Sequence, residues 1–150
     1  MAGSGEGAPL AGVETNEAAW KRVQVEHRKI VALLTDLGEA KRPERILELA
    51  NELGGILPGH FSDEEGPRGF FEEIRMLRPD MDRRLQGLHR QHGEIVEALE
   101  AVVAQTQATN KNPAGIERTT STLCDMLRAH ERIENQLITD FYLTDEGGAG

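Results

Sequence analysis

Two pairs of residues in this chain have the types and spacing for chemistry: His60-Phe61-Ser62-Asp63-Glu64 and His130-Glu131-Arg132-Ile133-Glu134. Residues four apart on a helix share one face, a turn apart, so each pair sets an imidazole beside a carboxylate. The second pair lies in a stripe at 116, 120, 123, 127, 130, 134, 137 and 141, whose other members are Ile116, Thr120, Leu123, Leu127, Leu137 and Phe141. Alternating steps of three and four make a stripe that faces a core. A histidine and a glutamate in its middle need compensation, because an unpaired buried carboxylate is costly. A metal ion is one candidate.

The elements that must position these pairs are helices. Trp20, Val23, His27, Ile30, Leu34 and Leu37 fall on one face of a first helix, with Gly38 a plausible end. Pro43 suits the first turn of a second. Its stripe is Ile46, Leu49 or Ala50, Leu53, Leu57, His60 and Glu64, with Pro58 inside it and Gly66-Pro67 stopping it. Phe70, Phe71, Ile74 and Leu77 make a short cap between helices two and three. The third long helix carries Met81, Leu85, Leu88, His92, Ile95, Leu99 and Val102, and Asn112-Pro113 starts the fourth, which is expected to end near Leu143.

These expectations make an all-α chain: an up-down-up-down four-helix bundle over 15–143 with a short extra helix between helices two and three. A disordered tail is expected at 1–14, which carries four glycines and no periodicity, and a flexible one at 144–150. Counted from the end of the bundle where helices one and two meet, His60, His92 and His130 agree in level within a turn. His27 falls roughly 9 Å out at ~1.5 Å per residue. Continuing the first helix to about Arg42 removes most of that gap, so the helix is expected to ignore Gly38, and the four histidines can then meet at one height in the core.

Composition bounds the function without choosing it. At 150 residues and 16.6 kDa the chain suits one domain. A net charge of -9, from 26 acidic and 17 basic residues, argues against nucleic acid or anionic membranes as partners. No apolar run approaches the ~20 residues that span a bilayer, and Met1 to Gly12 lacks the pattern of a signal peptide. One cysteine, Cys124, cannot form an internal disulfide, which fits a reducing cytoplasm. Its place beside Leu123 and Leu127 suggests a buried, inert thiol.

Either His27 or His92 alone reads as a core or boundary histidine bonded to a neighbour, and either His/Glu pair alone as a local ion pair. Taken together, His27, His60, Glu64, His92, His130 and Glu134 are hard to reconcile with an apolar core and read as metal ligands. Four imidazoles and two carboxylates suit iron, manganese or zinc better than calcium or magnesium. Two ions bridged by the two glutamates use every group, whereas one zinc ion strands at least one. His89 lies on the flank of its stripe, either as an additional ligand or as a partly exposed neighbour. Glu65, Glu131 and Asp63 point about 100° away from the ligand face and read as solvated, with an outer role secondary.

The chain resembles the hemerythrin-like (HHE cation-binding) domains over roughly residues 18 to 141. The likeness rests on Glu26-His27 followed by Ile30, His60-x-x-x-Glu64-Glu65, His92 followed by Ile95, and His130-x-x-x-Glu134. It implies a bundle holding two iron ions, oxo- or hydroxo-bridged, with bridging glutamates, and a role in binding or sensing dioxygen, nitric oxide or iron. Where oxygen carriers have His-x-x-x-His on helix three, this chain has His89-x-x-His92. Where they have an aspartate on helix four it has Asn135, one residue after Glu134. It looks closer to the four-histidine, two-glutamate members, so reversible oxygen carriage is not carried over. Two other readings stand beside this one: a di-iron oxidase or peroxide-consuming enzyme, and a metal-free helical module interacting through an exposed Phe70/Phe71 segment. No catalytic group apart from the ligands stands out, and oligomeric state is left open.

Overall fold

The computed structural model describes residues 16–147. Four long helices and one short one account for almost all of it: α1 Asn16–Glu39, α2 Pro43–Glu65, α3 Phe70–Leu77, α4 Asp82–Gln107 and α5 Pro113–Gly147, with a single 3-10 turn at Pro79–Met81 before α4. No strand occurs among the described residues, and no helix there is long and apolar enough to cross a membrane. The tail expected at 1–14 and the packing expected of the Trp20 side chain lie outside the described residues.

Each long helix turns its apolar stripe inward, and the helices neighbour one another in chain order around a square: α1 beside α2, α2 beside α4, α4 beside α5, α5 beside α1. Short connections between successive helices make the arrangement up-down-up-down. All eight stripe positions on α5, from Ile116 to Phe141, are buried. The interior is split along the bundle axis. A larger apolar cluster, including Ile30, Leu53, Leu57, Leu99, Leu123 and Leu127, fills the end where α1 meets α2. A smaller one, of Phe71, Ile74, Met81, Leu85, Leu88, Leu137 and Phe141, fills the other end. Between them His60, Glu64, His92, His130 and Glu134 form a buried polar layer.

Two helix ends depart from the sequence-based expectation. α1 passes Gly38 but stops at Glu39, with the Ala40 N–H donating to Asp36 O at 3.0 Å, rather than running to Arg42. Pro43 is the cause: a residue before proline is pushed out of the helical region, and Arg42 is extended at φ -90, ψ 133. α5 continues through Gly147, four residues past the end expected near Leu143, and residues 148–150 of the tail expected at 144–150 lie outside the described residues. No proline or glycine stands between Leu143 and Gly147 to stop it. Its start follows the expected capping, with Asn112 Oδ1 accepting the Gly115 N–H at 3.2 Å.

The α2–α3 joint decides what covers the polar layer. Gly66 closes α2, its N–H donating to Ser62 O at 2.9 Å. Gly69 then passes so close to the end of α2 that a Cβ there would lie 2.2 Å from Glu64 O and 2.4 Å from Asp63 O. Only glycine permits that approach. It turns Phe71 and Ile74 into the smaller cluster, and Arg75 ties α3 to α4 by donating to Asp82 Oδ1 at 2.7 Å. The Phe70/Phe71 segment is therefore not the exposed surface that the interaction-module reading needs: Phe71 is buried and Phe70 packs partly buried against it.

Candidate metal centre

The structure brings together, from four helices, the six residues picked out as ligand candidates. His27 Nε2 lies 2.8 Å from Glu134 Oε1, His60 Nε2 2.9 Å from Glu64 Oε1, and His130 Nε2 3.2 Å from Glu134 Oε2. His92 Nε2 sits 3.1 Å from His130 Nε2 and 3.8 Å from Glu64 Oε1. Their donor atoms form two groups, each within 4.8 Å: His27, His60, Glu64 and Glu134 in one, and His92, His130 and Glu134 in the other. Glu134 belongs to both.

His27 joins this layer although α1 stops early. It stands 12 residues before Glu39 and His60 stands 17 after Pro43, a mismatch of five residues, or about 7.5 Å along the axis. Side chains lean toward the N-terminus of their own helix. On antiparallel α1 and α2 that lean carries His27 away from the shared end and His60 toward it. The two rings meet, with centroids 4.7 Å apart.

Behind the inner layer runs an outer one. Glu26 Oε2 accepts from His60 Nδ1 at 2.6 Å, and Glu65 Oε1 from His92 Nδ1 in a very short bond. Gln91 Oε1 accepts from His130 Nδ1 at 2.8 Å, and Glu131 Oε2 lies 3.5 Å from His27 Nδ1. Each outer residue is adjacent in sequence to a ligand candidate on its own helix and serves the histidine of the next helix around the square. A rotation of about 100° per residue makes this follow from the packing, since the neighbour of an inward residue points sideways at the adjoining helix. Glu65 and Glu131 are accordingly not the solvated residues their offset suggested; Glu131 is buried outright. Gln91 is a residue the sequence alone did not single out. The signal was there in the acid or amide flanking each inward donor. Asp63 is exposed, 3.4 Å from Arg22 Nε.

His89 is not brought to the inner layer. Its side chain is 70% exposed, and its Nδ1 lies 2.8 Å from the same Glu65 Oε1 that serves His92. Three residues from His92 on the helix, it reaches the outer carboxylate instead of the centre.

The electrostatics show a set of donors incomplete by itself. Burial, and then the charge of Glu134, push the Glu64 carboxyl well above its ordinary value. Burial works to raise Glu134 too, but the imidazoles of His130 and His27 outweigh it, and its carboxyl lies below the ordinary range. Burial, reinforced by His130, lowers His92 to about 4 despite Glu65 beside it. Its ring is stacked between Phe61, at a centroid distance of 3.8 Å, and Phe71, at 5.7 Å, which shut out water and keep the imidazole neutral. Burial likewise lowers His60 and raises the Cys124 thiol.

The inward atoms that remain are the test of fit for a cation. His27 Nε2, His60 Nε2 and both carboxylate oxygens of Glu64 and of Glu134 are buried with no well-aligned hydrogen-bond partner among the described residues. Native interiors rarely leave such groups unsatisfied. Converging Nε2 and carboxylate atoms, with three of the four Nδ1 atoms hydrogen-bonded from outside and that of His27 facing Glu131, make a donor set of the kind that binds first-row metal ions. The residues fit the ion.

Residues 19–142 match the family model described as the hemerythrin HHE cation binding domain. No curated protein and no solved structure gives a match.

Proposed function

The chain belongs to the hemerythrin HHE cation-binding domain family, whose model matches its residues 19–142, and on that footing we propose that it is a non-haem di-iron protein that binds or senses dioxygen, nitric oxide or iron itself. His27, His60, Glu64 and Glu134 would hold one ion and His92, His130 and Glu134 the other, with Glu134 shared. Iron, when bound, supplies redox-active positions at which a small diatomic ligand binds. Manganese and zinc suit the same donors.

The observation that carries this reading is the inner ring of orphaned atoms backed by an outer ring of acceptors. The outer acceptors fix His60, His92 and His130 so that Nδ1 carries the hydrogen and Nε2 presents its lone pair inward. Phe61 and Phe71 keep the layer dry. The lone, buried Cys124 fits a reducing, cytoplasmic setting.

Protein grown with iron is expected to contain about two iron ions per chain, with the near-ultraviolet and visible absorption of a ferric pair. His60→Ala and Glu134→Ala are expected to abolish both. Unchanged iron content and colour in those variants would end the proposal. Stopped-flow mixing of the ferrous protein with dioxygen or peroxide is expected to show slow, stoichiometric consumption; many turnovers would make it the oxidase instead.

A further inference from the structure

Of the four inward imidazoles, three have a carboxylate at Nδ1 and one does not. His60 is hydrogen-bonded to Glu26 and His92 to Glu65, and His27 faces Glu131 at 3.5 Å, while His130 rests on the neutral amide oxygen of Gln91 at 2.8 Å. Gln91 orients the ring as a glutamate would, since its Oε1 accepts from Nδ1–H, but brings no negative charge. A carboxylate on Nδ1–H increases the electron density that the opposite nitrogen offers a cation; an amide does so far less.

The same side of the layer is poorer in two other respects. The donor group containing His92 and His130 includes one carboxylate, Glu134, whereas the group containing His27 and His60 includes two. The acceptor behind His92 is also divided, because Glu65 Oε1 lies within ion-pair distance of exposed His89 as well, at 2.8 Å. Both histidines of the first group have an acidic partner, one of them shielded at the buried Glu131.

Resting on the dinuclear reading above, we propose that the two ion positions are unequal by construction and that Gln91 is the positioning residue that sets the difference. The His27/His60/Glu64/Glu134 position fills first, and the His92/His130/Glu134 position holds a weaker, exchangeable ion. The protein therefore has a one-ion state over a range of metal concentration, and the second ion reports metal supply.

The test is titration of chelator-stripped protein with Co(II), followed by its visible bands, and with Zn(II), followed by calorimetry. The wild type is expected to bind in two steps separated by at least about tenfold. Gln91→Glu should tighten the second step by roughly tenfold and leave the first unmoved. Glu131→Gln should weaken the first step and narrow the gap. Helical circular dichroism checks that each variant is folded, and Glu131→Gln carries the test by itself if Gln91→Glu is not. Binding of two ions in one unresolved step, or a Gln91→Glu change that moves the first step, or Glu131→Gln leaving both steps unmoved, would overturn the proposal. A wild type that binds no ion would overturn the dinuclear reading itself, a failure visible before any variant is made.

Discussion

Glu134 is the one side chain common to both donor groups, so replacing it by its isostere should have opposite effects on the metal-free and loaded protein. A ligand bound only by the folded state stabilises it by about 2.7 kcal/mol at a hundredfold excess over Kd and about 4.1 kcal/mol at a thousandfold. Two ions resting on Glu134 then contribute about 5–8 kcal/mol. At roughly 2–4 °C per kcal/mol for a chain of this length, the loaded wild type should melt roughly 10–30 °C above the metal-free form. Glu134→Gln should lose most of that increment. Without metal the sign reverses. Glu134 is fully buried against a second carboxylate, whose own value is raised by burial and by the Glu134 charge. Removing that charge relieves the repulsion, and the amide sets one oxygen and one N–H where the two carboxylate oxygens face His27 and His130, so metal-free Glu134→Gln should melt no lower than metal-free wild type. Differential scanning calorimetry at pH 7.5, with chelator and with a metal excess, reads both. If the variant loses the same stability with and without metal, Glu134 is an ordinary ion-pair partner of the two histidines and the reasoning is wrong.

Gly69→Ala tests the joint above the site. At φ -75 the backbone suits alanine, and chain entropy alone would stabilise by about 0.4–1 kcal/mol. The Cβ would strike the Glu64 and Asp63 carbonyl oxygens, so a loss of about 1–3 kcal/mol is expected instead, read as a lower melting temperature. His89→Ala should leave metal content at the wild-type value, since His89 reaches only Glu65; elemental analysis showing loss of an ion would make it a ligand. Metal affinity should fall as pH falls. The raised Glu64 carboxyl keeps its proton to higher pH than usual, and stabilisation from that proton is present at low pH and lost as pH rises through the raised value. An ion must displace the proton, so binding strengthens in the opposite direction, with rising pH. Calorimetry in buffers of different ionisation enthalpy should detect proton release on binding, and none at all would contradict the assignment.

Periodicity alone determined the helices, their buried faces and the six inward donors. A three-four alternation leaves one face to bury, and histidine and glutamate on that face stand out against leucine and isoleucine. Helix ends were less legible: Arg42 is held out of α1 by the proline after it, and α5 ran on because nothing before Gly147 stops it. The tertiary structure decided what no single helix can show. Whether His27 reaches the layer depends on the opposed lean of side chains on antiparallel helices. Glu26, Glu65, Gln91 and Glu131 matter because of the helix next door, and Phe71 covers His92 because Gly69 lets α3 fold back on α2. Spacing along one chain defines a face; which residue of a neighbouring helix meets it is set by packing, and the proposed inequality of two ion positions rests on that level.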